Sequence, residues 1–296
     1  MPYTVYSAAQ AHPQDPQKRH PYLAVLELSD DGERLELLQQ VELPEGTAMP
    51  MFQALSPCRT TLYTVAGPLG ILAYKVNPED SGKIVESPPP TAYLTAPQAE
   101  RNALEGQPED SAPGGAGPCH ISFDSTGSVM FCANYESGSV AALSVEDRST
   151  GALGTPAVAA HGPGGAEAGV AGSRQDAAHP HGVFTDPSNR YLVTADLGTN
   201  ALHTYRFNPE SARSFSSASN LIGRTPMHTG AGPRHVAFSP NGASCFVVNE
   251  LDNTISAFRF RPSDGSTTHL QTLPTVPLDW VASLPPLPFD FYSVSG

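Results

Sequence analysis

One segment occurs four times in the sequence, each time starting with a proline that precedes a short apolar stretch. The copies are PMFQALSPCRTTLYTVAG from Pro50, PCHISFDSTGSVMFCANY from Pro118, PHGVFTDPSNRYLVTADL from Pro180 and PRHVAFSPNGASCFVVNE from Pro233. Each copy has a turn-forming group at the same place (SPCR, DSTG, DPSN or SPNG), where such residues adopt turn dihedrals at low steric cost. The flanking stretches are rich in Val, Phe and Tyr, which is typical of half-buried strands. The pattern predicts a repeated unit of strand, turn and strand.

Each copy continues, after a second turn, into another apolar stretch: ILAYKV, SVAALSV, ALHTYRF or TISAFRF. The copies start 68, 62 and 53 residues apart. A unit of three or four antiparallel strands that recurs every ~40–50 residues, with loops inserted, is typical of a β-propeller. In a β-sandwich, one turn motif would not be expected to recur in register. The 26 glycines and 30 prolines also favour strands and turns over helices. The sequence therefore predicts an all-β fold, a β-propeller.

The length beyond the repeats lies in two polar, glycine- and proline-rich inserts, residues 77–117 and 146–178, which we expect to be surface loops. Residues 1–275 are predicted to form one propeller domain that contains both inserts. Residues 276–296 show neither the turn nor the strand pattern of the repeat, and their prolines oppose strand pairing. They are predicted to form a proline-rich tail.

The chain carries a formal net charge of −13, from 16 basic and 29 acidic residues. Such a surface repels nucleic acid and anionic membranes, so neither is an expected partner. No stretch reaches the ~18 consecutive apolar residues of a membrane span, and the first residues lack the basic-then-apolar order of a secretory signal. The four cysteines have no CxxC spacing, which favours free thiols. We therefore expect a cytoplasmic protein.

The innermost strands of a propeller line a central channel, so equivalent positions of successive blades lie close together near the axis. The position after the starting proline holds a different residue type in each copy: Met51, Cys119, His181 and Arg234. A structural position would keep one apolar type across the blades. Glu250 lies at the end of the copy that contains Arg234. His181, Arg234 and Glu250 are therefore the candidate catalytic residues.

The residue types suggest a role for each of the three. His181, with an expected pKa near neutral, can act as a general acid or base. Arg234 can bind a phosphate or carboxylate or stabilise an oxyanion, and Glu250 can orient either partner. The structural alternative stays open, in which Arg234 and Glu250 form an ion pair and His181 only caps a strand. Cys119 is expected to be a packed, inert thiol.

His179 and His181 form an HxH pair that, on a strand, points both side chains to one face, as two metal ligands would require. No third ligand has a suitable spacing, and His161 lies in a glycine-rich stretch that we expect to be a loop. The sequence therefore predicts neither a metal site nor a cofactor. The polar residues that recur near the ends of three copies are expected to make turn hydrogen bonds: Asn134, Asp196 and Asn249.

Three longer segments together resemble the lactonase family of seven-bladed β-propellers. They are GAGPCHISFDSTGSVMFCANYESGSVAALSV, SRQDAAHPHGVFTDPSNRYLVTADLGTNALHTYRF and AGPRHVAFSPNGASCFVVNELDNTISAFRF. That family includes propeller-type 6-phosphogluconolactonases and 3-carboxy-cis,cis-muconate lactonizing enzymes. The resemblance extends over about residues 115–275, and more weakly over residues 1–76. It implies an enzyme that opens or closes a lactone without a metal, at His181 of HPHG, Arg234 of GPRH and Glu250 of VVNE.

The resemblance implies first a lactone hydrolase similar to 6-phosphogluconolactonase, since SRQDAAHPHG and DLGTN are closer to that branch. His181 would then activate water, and Arg234 would hold the substrate anion or the oxyanion. Two alternatives stay open: a 3-carboxy-cis,cis-muconate cycloisomerase of aromatic catabolism, and a degenerate propeller that serves as a scaffold. The expected partner is a small-molecule lactone or carboxylate, and the sequence does not predict the oligomeric state.

The chain departs from the family at its end. Family members continue with further blades, one of which carries another arginine in a strand resembling LYxSNR. This chain instead ends in PLDWVASLPPLPFDFYSVSG. We therefore expect an incomplete propeller of about five blades, with an open strand edge, and the resemblance leaves the activity of this chain to be tested.

Overall fold

The computed structural model describes most of the chain, namely residues 3–9, 20–47, 50–67, 70–85, 91–93, 117–161 and 172–277. These residues form five antiparallel sheets, each of which we call a blade. The all-β prediction is confirmed. The helices in the described residues are two 3₁₀ turns, Gly172–Gln175 and Pro209–Ser214, and the short α1, Ser217–Asn220. Among the described residues, no helix has the length and apolar character needed to cross a membrane.

The strands follow chain order within each blade. Blade 1 contains β1 (Tyr3–Ala9), β2 (Tyr22–Leu28) and β3 (Leu35–Glu42). Blade 2 contains β4 (Gln53–Leu55), β5 (Thr61–Val65), β6 (Ile71–Asn77) and β7 (Lys83–Ile84), with β8 (Thr91–Tyr93) also paired to β6. Blade 3 contains β9 (Pro118–Phe123), β10 (Val129–Asn134), β11 (Ser139–Asp147) and β12 (Ala152–Leu153), with β13 (Ala157–Ala160) also paired to β11.

The last two blades each have four strands in sequential order. Blade 4 contains β14 (Pro180–Thr185), β15 (Tyr191–Asp196), β16 (Ala201–Arg206) and β17 (Leu221–Pro226). Blade 5 contains β18 (Pro233–Phe238), β19 (Ser244–Asn249), β20 (Thr254–Arg261) and β21 (Ser266–Pro274). The four sequence copies thus begin the innermost strands of blades 2 to 5.

The predicted turns lie between the first two strands of these four blades. The last residue of each turn group has a positive φ, of 60°, 68°, 57° and 67°, and these residues are Arg59, Gly127, Asn189 and Gly242. Glycine and asparagine adopt this left-handed conformation at the lowest cost, which explains their recurrence. In blades 3 and 4, Asp124 and Asp186 also accept hydrogen bonds from amides of the turn.

The hydrophobic core lies between the blades. Side chains alternate between the two faces of a strand, so Leu192 packs against blade 3 while its neighbours Tyr191 and Val193 pack against blade 5. Equivalent clusters join blade 1 to blade 2 and blade 2 to blade 3. Because the central blades are covered on both faces, their second strands are buried along their whole length. This packing fixes the innermost strands around a common axis.

The structure differs from the sequence prediction at both inserts. In the insert 77–117, β7 and β8 pair with β6, and residues 86–90 and 94–116 lie outside the described residues. In the insert 146–178, β12 and β13 pair with β11, because Ala157–Ala160 can extend the blade as an outer strand. His161 directly follows β13 and its side chain is buried, so it does not lie in an exposed loop. The predicted tail lies outside the described residues from residue 278 onward.

Candidate functional site

The three candidate residues lie at one edge of blades 4 and 5. His181 is the second residue of β14, Arg234 is the second residue of β18, and Glu250 directly follows β19. In register, Pro180 opposes Asp196 and Pro233 opposes Asn249, so the start of each first strand lies beside the end of the second. Antiparallel pairing thereby brings residues far apart in sequence to the same edge.

The position after each starting proline is a β-bulge in blades 3, 4 and 5. The register passes from Pro118 to His120, from Pro180 to Gly182 and from Pro233 to His235, so it skips the intervening residue. The skipped residues are Cys119, His181 and Arg234. A bulge re-aims the side chain of the extra residue, and bulges are frequent beside active sites. The same local geometry therefore presents a thiol, an imidazole and a guanidinium.

Glu250 is the centre of the candidate site. Its Oε2 lies 3.5 Å from Nε2 of His181 and 3.5 Å from Nε of Arg234. Its Oε1 accepts a hydrogen bond of 2.6 Å from Nη2 of a further residue, Arg174. The side chains of His181, Arg234 and Glu250 are 9%, 12% and 6% exposed, so the charges of Arg234 and Glu250 interact with little screening by water. The structure thus brings the three predicted residues together.

Arg174 is a site residue that the sequence analysis did not identify. It lies in the 3₁₀ turn Gly172–Gln175, where Gln175 donates a hydrogen bond of 2.8 Å to the carbonyl of Leu197 and holds the turn against blade 4. The guanidinium of Arg174 also lies beside the hydroxyl of Tyr135. The one signal in the sequence was a basic residue between a glycine-rich stretch and HPHG.

The expectation of a near-neutral pKa for His181 is wrong. Burial and the positive charge of Arg234 lower the pKa of His181 to about 3. The imidazole is therefore uncharged at neutral pH, which is the state that a general base requires. Among the described residues, its Nδ1 is buried without a hydrogen-bond partner. Arg174, Arg234, Glu250 and a neutral His181 together carry a net charge of +1, which suits an anionic ligand.

Uncharged rings form the floor beneath this charged group. The ring of His120 lies 4.2 Å from Phe52, 4.7 Å from Phe184 and 5.1 Å from His235, between ring centroids. These rings come from four blades and meet near the axis. Burial lowers the pKa of His120 well below its usual value, and burial together with Arg234 lowers the pKa of His235 to about 4. These rings are therefore uncharged and packed against one another.

The remaining sequence predictions concern neighbours of the site. The rings of His179 and His181 take different partners, since Nδ1 of His179 lies 2.9 Å from the carbonyl of Tyr135 and His181 contacts Glu250, so the HxH pair is not arranged as a metal site. Burial raises the pKa of Cys119 to about 12, in agreement with an inert thiol. The predicted turn hydrogen bonds are present. Asn134 donates to the hydroxyl of Ser139, Asp196 accepts from the amide of Thr199, and Asn249 donates to the hydroxyl of Thr254.

Comparison with known proteins gives the family of this chain. Residues 14–284 match the family model described as lactonase, 7-bladed beta-propeller. The chain belongs to this lactonase family. The predicted propeller fold is thereby confirmed, and the bulged edge with His181 and Arg234 is an edge of a lactonase-family propeller.

Two curated relatives of this lactonase-family chain are named 6-phosphogluconolactonase. The protein of Bacillus subtilis is 29% identical over 82% of this chain and 60% of its own length. The protein of Serratia proteamaculans is 30% identical over 86% of this chain and 63% of its own length. This chain therefore spans somewhat under two thirds of these relatives. A solved structure of a periplasmic gluconolactonase from Pseudomonas aeruginosa has the same fold, with a TM-score of 0.68, 23% identity, and coverage of 94% of this chain and 69% of that one.

Proposed function

We propose that this chain hydrolyses an anionic sugar lactone. The observation that carries the proposal is the contact of one carboxylate, Glu250, with two guanidiniums and a neutral imidazole. Two cations around one carboxylate leave positive charge for a substrate anion, and the neutral imidazole of His181 can accept a proton. The name that the Bacillus subtilis and Serratia proteamaculans relatives carry, 6-phosphogluconolactonase, supports a phosphorylated lactone as the substrate.

In the proposed reaction, His181 accepts a proton from a water molecule whose oxygen attacks the lactone carbonyl carbon. Arg234 stabilises the negative charge that develops on the carbonyl oxygen. The bond between the carbonyl carbon and the ring oxygen then breaks, and His181 returns the proton to that ring oxygen. The product is an open hydroxy acid. Glu250 holds His181 and Arg234 in place and is a positioning residue.

Arg174 and the hydroxyl of Tyr135 would hold the substrate's phosphate or carboxylate at the rim of the site. A bound anion also offsets the positive charge of Arg234, which is one of the causes of the low pKa of His181. Substrate binding would therefore raise the pKa of His181 and make it a stronger base at the moment when it is needed.

Arg174 also favours a second candidate, the 3-carboxy-cis,cis-muconate cycloisomerase reaction. Two guanidiniums suit a substrate with several carboxylates as well as they suit a phosphate. In that reaction a substrate carboxylate would add to a double bond within the same molecule, and a proton that His181 takes up from water would pass to the neighbouring carbon.

Turnover of three compounds separates these reactions. The purified chain is incubated with 6-phosphogluconolactone, unphosphorylated gluconolactone and 3-carboxy-cis,cis-muconate, and each rate is compared with the uncatalysed rate. We expect hydrolysis of 6-phosphogluconolactone above background, with the rate lowered ~10²–10⁴-fold in His181→Gln. The control is His228→Gln, an exposed histidine that contacts Asp252 outside the site and should leave the rate unchanged.

Equal, background-level turnover by the wild-type chain and by His181→Gln would contradict catalysis and favour a scaffold. Turnover of the muconate with none of the lactones would instead assign the cycloisomerase reaction. Binding of 6-phosphogluconic acid, measured by calorimetry with the wild-type chain and Arg174→Met, would show whether an inactive chain still recognises the anion.

A further inference from the structure

A second cluster of polar side chains lies between blades 3 and 4 and contains none of the residues proposed for catalysis. His161 directly follows β13 of blade 3, whereas Asp196 ends β15 and His203 lies in β16 of blade 4. One ring nitrogen of each histidine and one carboxylate oxygen of Asp196 lie within 4.8 Å of one another. The side chains of His161 and Asp196 are fully buried, and His203 is 3% exposed. Such a group of ligand atoms is unusual in an otherwise apolar interface.

Hydrogen bonds hold the carboxylate of Asp196 in place. Oδ2 lies 2.6 Å from Nδ1 of His161, while Oδ1 accepts hydrogen bonds from the amides of His179 at 2.9 Å and Thr199 at 2.8 Å. Burial alone would raise the pKa of Asp196, but the hydrogen bonds and the nearby histidines lower it below the usual value. The cluster therefore contains an ionised carboxylate in a buried place.

Two buried atoms beside this carboxylate have no hydrogen-bond partner among the described residues, namely Nδ1 of His203 and the hydroxyl of Tyr205. An unpaired buried polar atom costs ~1–3 kcal/mol, so it indicates a group that binds there. The ring of His203 lies 4.1 Å from the ring of His161, at an angle of 7°, and its Nε2 lies 3.0 Å from the hydroxyl of Thr199, which leaves Nδ1 as the nitrogen of His203 that is unpaired in the described part of the chain.

We propose that His161, Asp196 and His203 bind one divalent metal ion of the zinc class, which joins blades 3 and 4. Two imidazole nitrogens and one carboxylate oxygen are a common ligand set for zinc, cobalt(II) and nickel(II). Ligand bonds of ~2.0–2.2 Å at tetrahedral angles place ligand atoms ~3.3 Å apart, so binding would separate Nδ1 of His161 and Oδ2 of Asp196 from 2.6 Å and require the ring of His203 to adjust. Binding at Nδ1 of His161 requires the proton that this atom donates to Asp196 to move to Nε2, which lies 3.4 Å from the hydroxyl of Thr194, and a water molecule can complete the coordination.

The site has a structural role. Its residues are buried, and the proposed reaction at His181 needs no metal. Asp196 also holds the amide of His179, whose ring stacks on Tyr135 at 4.4 Å. A metal ion on Asp196 would therefore stabilise the blade interface and the wall of the lactone site at the same time.

The test is a titration of the untagged, EDTA-treated full chain with cobalt(II), followed by its visible absorption. We expect one equivalent of cobalt to give the absorption of a four-coordinate complex, and zinc to displace it and raise the melting temperature. Asp196→Asn keeps the shape of the side chain, and we expect it to lose the cobalt spectrum while retaining the far-UV circular dichroism of the metal-free chain. His203→Gln should behave in the same way.

The matched control is His228→Gln, which removes a histidine from an exposed pair with Asp252 and should leave cobalt binding intact. If the wild-type chain binds no cobalt and zinc does not change its melting temperature, the proposal is overturned and the unpaired atoms are assigned to a bound water molecule. Cobalt binding that is equal in the wild type, Asp196→Asn and His203→Gln would overturn it as well. Both results are independent of lactone turnover.

Discussion

A β-carbon added to Gly182 would lie 2.6 Å from the carbonyl oxygen of Arg234. Gly182 directly follows His181 in β14, and Arg234 lies in β18 of the next blade. Because real β-carbons essentially never approach a backbone atom closer than 3.0 Å, only glycine permits this contact. The close approach of the two strands sets the distance between the imidazole and the guanidinium.

Gly182→Ala is therefore expected to separate blades 4 and 5 at the site. The strands must shift, at a cost of ~1–3 kcal/mol in the free energy of unfolding, and turnover should fall because Arg234 moves away from His181. Gly223→Ala is the control, since nothing lies within 4 Å of a β-carbon added there. Urea denaturation and kcat/KM measure both effects. A Gly182→Ala chain with the stability and turnover of the Gly223→Ala chain would contradict the close approach.

Arg174→Met should weaken the binding of a charged lactone more than that of an uncharged one. Charge-assisted hydrogen bonds contribute ~1.5–3 kcal/mol, so we expect KM for 6-phosphogluconolactone to rise by ~10-fold or more while KM for gluconolactone changes little. Arg213→Met is a matched control, because Arg213 donates to Glu146 at the same distance of 2.6 Å but is 72% exposed. An equal effect on both lactones would show that Arg174 does not bind the phosphate.

Glu250→Gln should destabilise the fold as well as lower turnover. The substitution removes the negative charge that two largely buried guanidiniums share, and breaking a buried ion pair costs ~3–5 kcal/mol. The pair with Arg174 contributes less to this cost, because its side chain is 25% exposed and water screens its charge. We expect a clearly lower melting temperature, which bound phosphate should partly restore by supplying a new anion. A melting temperature equal to that of the wild type would contradict the stabilising role of the ion pairs that Glu250 forms with the two guanidiniums.

Acid should destabilise this chain below pH 6.5 because several histidines are buried in the uncharged form. The pKa is lowered to about 3 for His181 and His203, to about 4 for His235, and well below 6.5 for His120. As the pH falls from 6.5 to about 4, the unfolded chain binds protons that the folded chain does not. The free energy of unfolding therefore falls, by up to ~1.4 kcal/mol per pH unit for each histidine.

His120→Phe tests the source of this acid sensitivity. Phenylalanine keeps a ring between Phe52 and Phe184 but has no group to protonate. The slope of the free energy of unfolding against pH, measured between pH 6.5 and 5, should decrease by up to ~1.4 kcal/mol per pH unit. That decrease corresponds to one proton fewer bound on unfolding. An unchanged slope would mean that His120 does not contribute.

The strand repeat made His181, Arg234 and Glu250 predictable, because equivalent positions of antiparallel units meet at one edge. The low pKa of His181 was not predictable, since it depends on burial and on the charge of Arg234 across two blades. Arg174 was missed for a related reason: it lies outside the repeat, and only tertiary packing places it on Glu250. The catalytic roles, a single domain over residues 1–275, an incomplete propeller and a cytoplasmic location stay predictions.

In blades 3, 4 and 5, the bulge after the starting proline makes side-chain identity independent of strand pairing. A residue that the register skips can be exchanged without a change in the pairing of the strands, and three blades already carry three different functional groups there. Cys119 occupies the bulge of blade 3 and faces the carbonyls of Pro180 and His181. Single substitutions at these bulge positions can therefore change the functional groups at this edge of the propeller, one blade after another. The sheets themselves stay the same.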